Sequence, residues 1–98
     1  MNKQRRPPLA KPSTTKNNET ITAVNSALQG DQKAVAWLVE NYTVKAYRKS
    51  FAMLRNEQDA HDVAHETMIK VMTNLAKYDP AWSFSTWVCR IAKNTAID

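Results

Sequence analysis

The chain has 98 residues, 43% of them hydrophobic, and a formal net charge of +5, enough for one domain with one modest core. No run approaches the roughly 18 to 20 apolar residues that a membrane span needs, and no apolar segment follows the basic N-terminus as a secretory leader requires. Its sole cysteine, Cys89, has no internal disulfide partner, which points to a reducing, cytoplasmic setting.

Charge becomes informative once it is divided by position. Residues 1–18 carry Lys3, Arg5, Arg6, Lys11 and Lys16 with no acid, whereas residues 19–98 hold nine basic and nine acidic side chains. The basic balance therefore belongs to the leader and says nothing about nucleic-acid binding by the folded part. Pro7, Pro8 and Pro12 among polar neighbours predict a disordered basic tail over 1–18, either solubilising or a weak phosphate-attracting arm. The single glycine and the scarcity of β-branched alternation argue against a β-rich fold.

From Glu19 the pattern is helical. Ile21, Val24, Ala27 and Leu28 form a short amphipathic stripe that Gly30 stops. Asp31 suits the N-cap of a second helix with Val35, Leu38 and Val39 on one face and Trp37 beside it. Asn41-Tyr42-Thr43 is a plausible break, after which Val44, Tyr47, Phe51 and Leu54 continue. Asn56 then caps a long helix whose early acids Glu57, Asp59 and Asp62 favour its dipole. That helix carries Val63, Ala64, Met68, Val71, Met72 and Leu75, and ends near Lys77 before Asp79-Pro80. An aromatic-rich loop over Tyr78 to Phe84 leads to a last helix from about Thr86 to Ile97, capped by Ser83 or Ser85. The expected fold is all-α, a small bundle of four to five helices.

Several motifs recur in order along this pattern. They are Gly30-Asp31, Asp59-Ala60-x-Asp62 running to Glu66-Thr67, Tyr78-Asp79-Pro80, Phe84-x-Thr86-Trp87, and Arg90-Ile91-Ala92-x-Asn94. Together they closely resemble region 2 of the sigma factors, specifically the extracytoplasmic-function (ECF) group, over roughly Ala23 to Asp98. The resemblance implies a domain over 19–98 that binds core RNA polymerase through the β′ clamp helices. It also implies recognition and opening of the promoter −10 element, by binding rather than by catalysis and with no cofactor.

Carried over residue by residue, Asp62, His65, Met68 and Met72 match positions facing β′, with Glu66 beside them able to pair with partner arginines. Met68 and Met72 are equally ordinary core residues, and Asp62 an acid favoured by the helix dipole. In the family the loop accepts a base flipped from the non-template strand. Trp82, Ser83 and Ser85 can supply its aromatic wall and polar groups, while Arg90 and Lys93 can hold phosphates. Asn94 matches a base-reading position, since an amide donates and accepts at once; otherwise it is a surface or capping asparagine, and Trp82 a partly exposed packing residue. Phe84 and Trp87 belong mainly to the core.

Two departures stand out. The adjacent tryptophan pair of primary factors is replaced by Arg90-Ile91, implying weaker melting and stricter promoter choice. His61 and His65 stand where the family usually has an acid and a glutamine, implying a partner contact sensitive to mildly acidic pH. The resemblance further implies an anti-sigma factor covering the same surfaces. Family members continue into a −35-binding domain that is absent from this chain, which points to a fragment. Two rival readings remain. A zinc site at His61 and His65, with Asp62 as the neighbouring acid, lacks a third ligand. A helical interaction module with no DNA role leaves Trp82 and the Arg90, Lys93 and Asn94 face without a purpose.

Overall fold

The computed structural model describes residues 14–97, which form four α-helices and one short 3-10 turn, with no strand among the described residues. Helix α1 spans Thr14–Leu28, α2 Gln32–Leu54, α3 Glu57–Thr73 and α4 Phe84–Ile97, and the 3-10 turn covers Leu75–Lys77. Helix α1 thus starts five residues earlier than the periodicity suggests, and residues 1–13 of the expected tail lie outside the described residues.

The helix ends follow from local chemistry. Gly30 has φ +95, and the amides of Gly30 and Asp31 donate back to the carbonyls of Ala27 and Ser26, each at 3.0 Å. This double closure needs a left-handed residue, which glycine supplies without a Cβ clash. Asp31 then caps α2 at once, its carboxylate accepting from the Lys33 amide at 2.9 Å. Asn56 caps α3 through the Asp59 amide at 2.8 Å, and Ser83 caps α4 through the Thr86 amide at 3.1 Å. Arg55 closes α2 at φ 54 with its amide on the Phe51 carbonyl, a left-handed residue without a glycine's freedom.

The expected break at Asn41-Tyr42-Thr43 does not occur; α2 runs through it. The Asn41 amide donates to the Trp37 carbonyl at 2.8 Å and the Thr43 hydroxyl to the Val39 carbonyl at 2.6 Å. Both side chains fold back on the preceding turn instead of competing with the helix. Continuity also changes the core stripe. Leu38, Tyr42, Ala46 and Ser50 are buried, four residues apart, whereas Val44 is 50% exposed and Tyr47, Phe51 and Leu54 only half-buried. In α1 the buried positions are Thr20, Ala23 and Val24, while Leu28 faces solvent.

The core joins all four helices. Ala64, Met68 and Val71 of α3 and Phe84, Val88 and Ala92 of α4 pack with Leu38 and Tyr42 of α2. Small residues at Ala46, Ser50, Ala60 and Ala64 let α2 and α3 approach closely. Polar groups sit inside as well: Thr20 and Tyr42 share a hydroxyl hydrogen bond of 2.7 Å, the Ser50 hydroxyl donates to the Ala46 carbonyl at 2.8 Å, Thr95 accepts from the Lys70 ammonium at 3.1 Å, and the Thr67 hydroxyl is buried with no partner.

Candidate partner and nucleic-acid interfaces

Helix α3 buries one side and leaves the opposite side free. With 3.6 residues per turn, Ala60, Ala64, Thr67, Met68 and Val71 face the core, and Asp62, His65, Glu66 and Ile69 face outward, all exposed. Met68 does not join the partner-facing set, because it is 4% exposed in the core. Met72 is half-buried against that core, so only its edge reaches the surface. The residue that the spacing argument missed is Ile69, 55% exposed, one turn from His65 and two from Asp62. A signal for it exists in the sequence: the core stripe Ala64, Met68, Val71, Leu75 is complete without Ile69, so its apolar side chain lacks an internal use. Glu66 pairs with Lys70 at 3.4 Å.

Next to this face, the His61 ring lies 4.6 Å from Tyr47, which stacks on Phe51 at 6.0 Å. Among the described residues no group of three or more His, Cys, Asp or Glu could hold a metal ion. No described helix is long and apolar enough to cross a membrane. Cys89 is free and half-buried in α4.

The second surface is built by the loop before α4. Asp79 accepts twice, its carbonyl from the Trp82 amide at 3.0 Å and its carboxylate from the Ala81 amide at 2.9 Å. Pro80, with φ preset, occupies the second position of this turn. Tyr78 lies beneath, 7% exposed, and its hydroxyl donates to the Trp82 carbonyl at 2.6 Å. Its ring sits edge-on to Phe84 at 5.0 Å and tilted against Trp87 at 5.3 Å. Burial first, then the neighbouring Tyr42 and Asp79, push its phenol up to about 12. Burial likewise raises Tyr42, opposed by its bond to Thr20. The backbone at Trp82 is thus held at both its amide and its carbonyl, while the residue remains 59% exposed.

Helix α4 continues from that turn. Arg90 and Asn94 are exposed one turn apart on one side, with Lys93 on the adjoining flank. Ser85 does not belong with them. It is half-buried and lies about 140° around the axis from Arg90. The Ser83 hydroxyl is already engaged as a cap and in a bond to the Thr86 hydroxyl at 2.8 Å. Phe84 is 1% exposed and Trp87 half-buried against the core. Ile91 is half-buried and Arg90 exposed.

Comparison with known proteins bears on what these two surfaces serve. Residues 38–98 match the family described as Sigma-70 region 2. The chain is 39% identical over 75 residues to the ECF RNA polymerase sigma factor SigW of Bacillus subtilis, covering 76% of this chain and 40% of that protein. The chain belongs to the ECF sigma factors, in their region 2. It is also 37% identical over 82 residues to the ECF RNA polymerase sigma factor SigE of Mycolicibacterium smegmatis, covering 81% of this chain and 31% of the relative. A third relative, the RNA polymerase sigma-H factor of Pseudomonas aeruginosa, is 36% identical over 73 residues, 74% of this chain and 38% of its own. The chain thus spans between 31% and 40% of the length of these relatives. No solved structure matches. The region 2 match includes α3, the turn at Asp79 and α4, so both surfaces lie within it.

Proposed function

We propose that this chain is the part of a transcription-initiation factor that docks on core RNA polymerase and takes up the non-template strand of the −10 element. Docking uses the outer side of α3, where Asp62, His65 and Glu66 form a charged rim around Ile69, with Met72 at the margin. The chemistry suits a helix laid against the β′ clamp helices: an apolar anchor desolvated at the centre and carboxylates for partner arginines at the edge. Promoter reading uses Trp82 as the stacking wall for a flipped base and Asn94 for a base edge, with Arg90 and Lys93 on phosphates. No covalent step is required of the chain. With Arg90 and Ile91 where primary factors place a tryptophan pair, the duplex meets no aromatic wedge there, and opening depends on capture of the unstacked base.

The observation that carries this reading is Trp82, 59% exposed on a turn fixed by Asp79, Pro80 and Tyr78 at the head of the Arg90–Asn94 helix. Ordering a stacking platform in advance lowers the entropy cost of binding a flexible strand. The same two faces suit cover by an anti-sigma factor, and the site of action is the cytoplasm. The test is retention of core polymerase by the chain, compared with its Asp62→Ala and Ile69→Ala variants, together with binding of single strands carrying a −10 sequence against scrambled strands. Weaker retention with an intact fold, and loss of strand preference in Trp82→Ala alone, is the expected result. Full retention by Ile69→Ala and Asp62→Ala, or equal binding of both strands by the parent, overturns it.

A further inference from the structure

Away from both surfaces assigned above, a groove of about 520 Å³ runs between α1 and the start of α2. Ala23 and Ala34, each 8% exposed, and half-buried Trp37 give it an apolar floor. Glu19, Asp31 and Lys33 stand exposed around it. We infer that residues 5–11 of this same chain fold back from the start of α1 and lie in this groove as an extended strap. The inference stands independently of the promoter reading, because none of these residues belongs to the α3 docking face or the nucleotide loop.

Length and register favour this occupant. The segment joins α1 at Thr14, so it is tethered beside the groove. At 1.5 Å per residue along α1, Glu19 lies about 8 Å from Thr14, Ala23 about 14 Å and Leu28 about 21 Å. An extended chain at about 3.1 Å per residue covers those spans with roughly three, four to five and seven residues counted back from Thr14. That register sets Lys11 level with Glu19 and Leu9 level with Ala23. Arg6 and Arg5 come last, past Leu28 and beside Asp31. A reversal that uses a residue or two leaves Lys11 within side-chain reach of Glu19.

Chemistry matches along the same register. Residues 1–13 carry Lys3, Arg5, Arg6 and Lys11 without an acid, whereas the groove holds two carboxylates against one ammonium. Glu19 has no ion-pair or hydrogen-bond partner among the described residues. Asp31 accepts from the amides of Lys33 and Ala34 through Oδ1 alone, which leaves Oδ2 open to a guanidinium. Leu9 supplies the apolar side chain that covers Ala23 and Ala34 beside Trp37. Pro7 and Pro8 restrict the free segment, so less entropy is lost when it is ordered. Proline-rich segments laid against an aromatic-lined groove are a recurring mode of recognition for that reason.

Two-dimensional NMR of the isotope-labelled full chain tests the strap. Nuclear Overhauser contacts are expected from the Leu9 methyls to the Trp37 ring. A variant lacking residues 2–10, its fold checked by thermal melting, is expected to show shifted Trp37 indole and Ala23 and Ala34 amide signals. The signals of Asp62, Ile69, Trp82 and Asn94 are expected to stay in place. A peptide of residues 1–13 added to the shortened chain is expected to restore the parent signals, at millimolar concentration because the tether no longer supplies a high local one. Joint Arg5→Gln and Arg6→Gln substitution is expected to weaken that peptide about two- to fivefold at low salt, and Leu9→Ala about fivefold. Absence of the Leu9–Trp37 contact in the full chain, or groove signals unchanged by the deletion, overturns the strap. So do groove signals that move with protein concentration, which mark a second copy as the occupant, and peptide binding that perturbs the α3 face instead.

Discussion

Tyr78→Phe tests how the nucleotide loop is held. The substitution removes one hydroxyl and leaves the ring, whose contacts with Phe84 and Trp87 at 5.0 and 5.3 Å are independent of it. What disappears is the 2.6 Å bond to the Trp82 carbonyl. A hydrogen bond of this kind contributes about 1 kcal/mol net, and the freed carbonyl, on an exposed turn, can find water instead of staying buried and unpaired. The expected cost at neutral pH is therefore about 1 kcal/mol, or a fall of about 4 to 8 °C in Tm for a domain of this size.

The alkaline limb sharpens the test. Burial holds the Tyr78 phenol at about 12 against 10.0 when unperturbed, so the folded chain keeps this proton more tightly than the unfolded chain. The associated stability is fully present below pH 10 and is lost as pH rises through about 12, a loss on the order of a few kcal/mol at most. Tyr78→Phe lacks that loss, while Tyr42, also raised, retains its own in both proteins. The variant is thus less stable than the parent at pH 7 and its deficit shrinks, or reverses, between pH 10 and 12. Urea unfolding followed by helical circular dichroism at a series of pH values measures both effects. A variant with no deficit at pH 7 and the same alkaline decline as the parent refutes the buried, bonded phenol.

Three further outcomes follow from side-chain placement. Met68→Ala and Ile69→Ala, at adjacent positions, are expected to separate cleanly in denaturant unfolding and polymerase retention. The former costs about 2 to 5 kcal/mol through a core cavity, and the latter leaves stability within about 0.5 kcal/mol while weakening retention about tenfold or more. Thr67→Val replaces a buried, unpartnered hydroxyl by a methyl of similar shape and is expected to raise the unfolding free energy by about 1 kcal/mol; a lower melting temperature shows that the hydroxyl is satisfied. Ser83→Ala removes the α4 cap and is expected to cost about 1 kcal/mol by thermal melting, with Ser83→Asp restoring it.

Where one residue's chemistry settles a local geometry, the sequence was sufficient. Gly30 as a stop and Asp31 and Asn56 as caps all follow from backbone donors left over at helix ends. The start of α3 was therefore readable, and of the two serines offered for α4 it is Ser83 that caps; α3, expected to reach Lys77, stops at Thr73 and gives way to a 3-10 turn over Leu75–Lys77. Asn41 and Thr43 were not readable, because the same side chains either break a helix or bond back to its previous turn, and only neighbouring packing decides between these. Met68 and Ile69 were exchanged for a related reason. Methionine fits both cores and interfaces, and residues only 100° apart on a helix straddle any boundary drawn from periodicity. Trp82, Arg90, Lys93 and Asn94 all reach the surface as expected, whereas Ser85 turned out to lie on the wrong flank.

The loop and the docking face depend on the core in unequal ways. Tyr42 meets Phe84 edge-on at 4.8 Å, and Phe84 meets Tyr78 and Trp87, so the turn that presents Trp82 rests on an aromatic cluster anchored in α2. The docking face lies on the side of α3 turned away from that cluster. A connection between its residues and α4 runs through Glu66, Lys70 and Thr95, and an exposed pair such as Glu66–Lys70 contributes only about 0.3 to 0.5 kcal/mol. On the proposed function, loosening the aromatic cluster is therefore expected to disturb strand capture before docking, and attachment of α3 to a partner is expected to do little by itself to reorganise the loop.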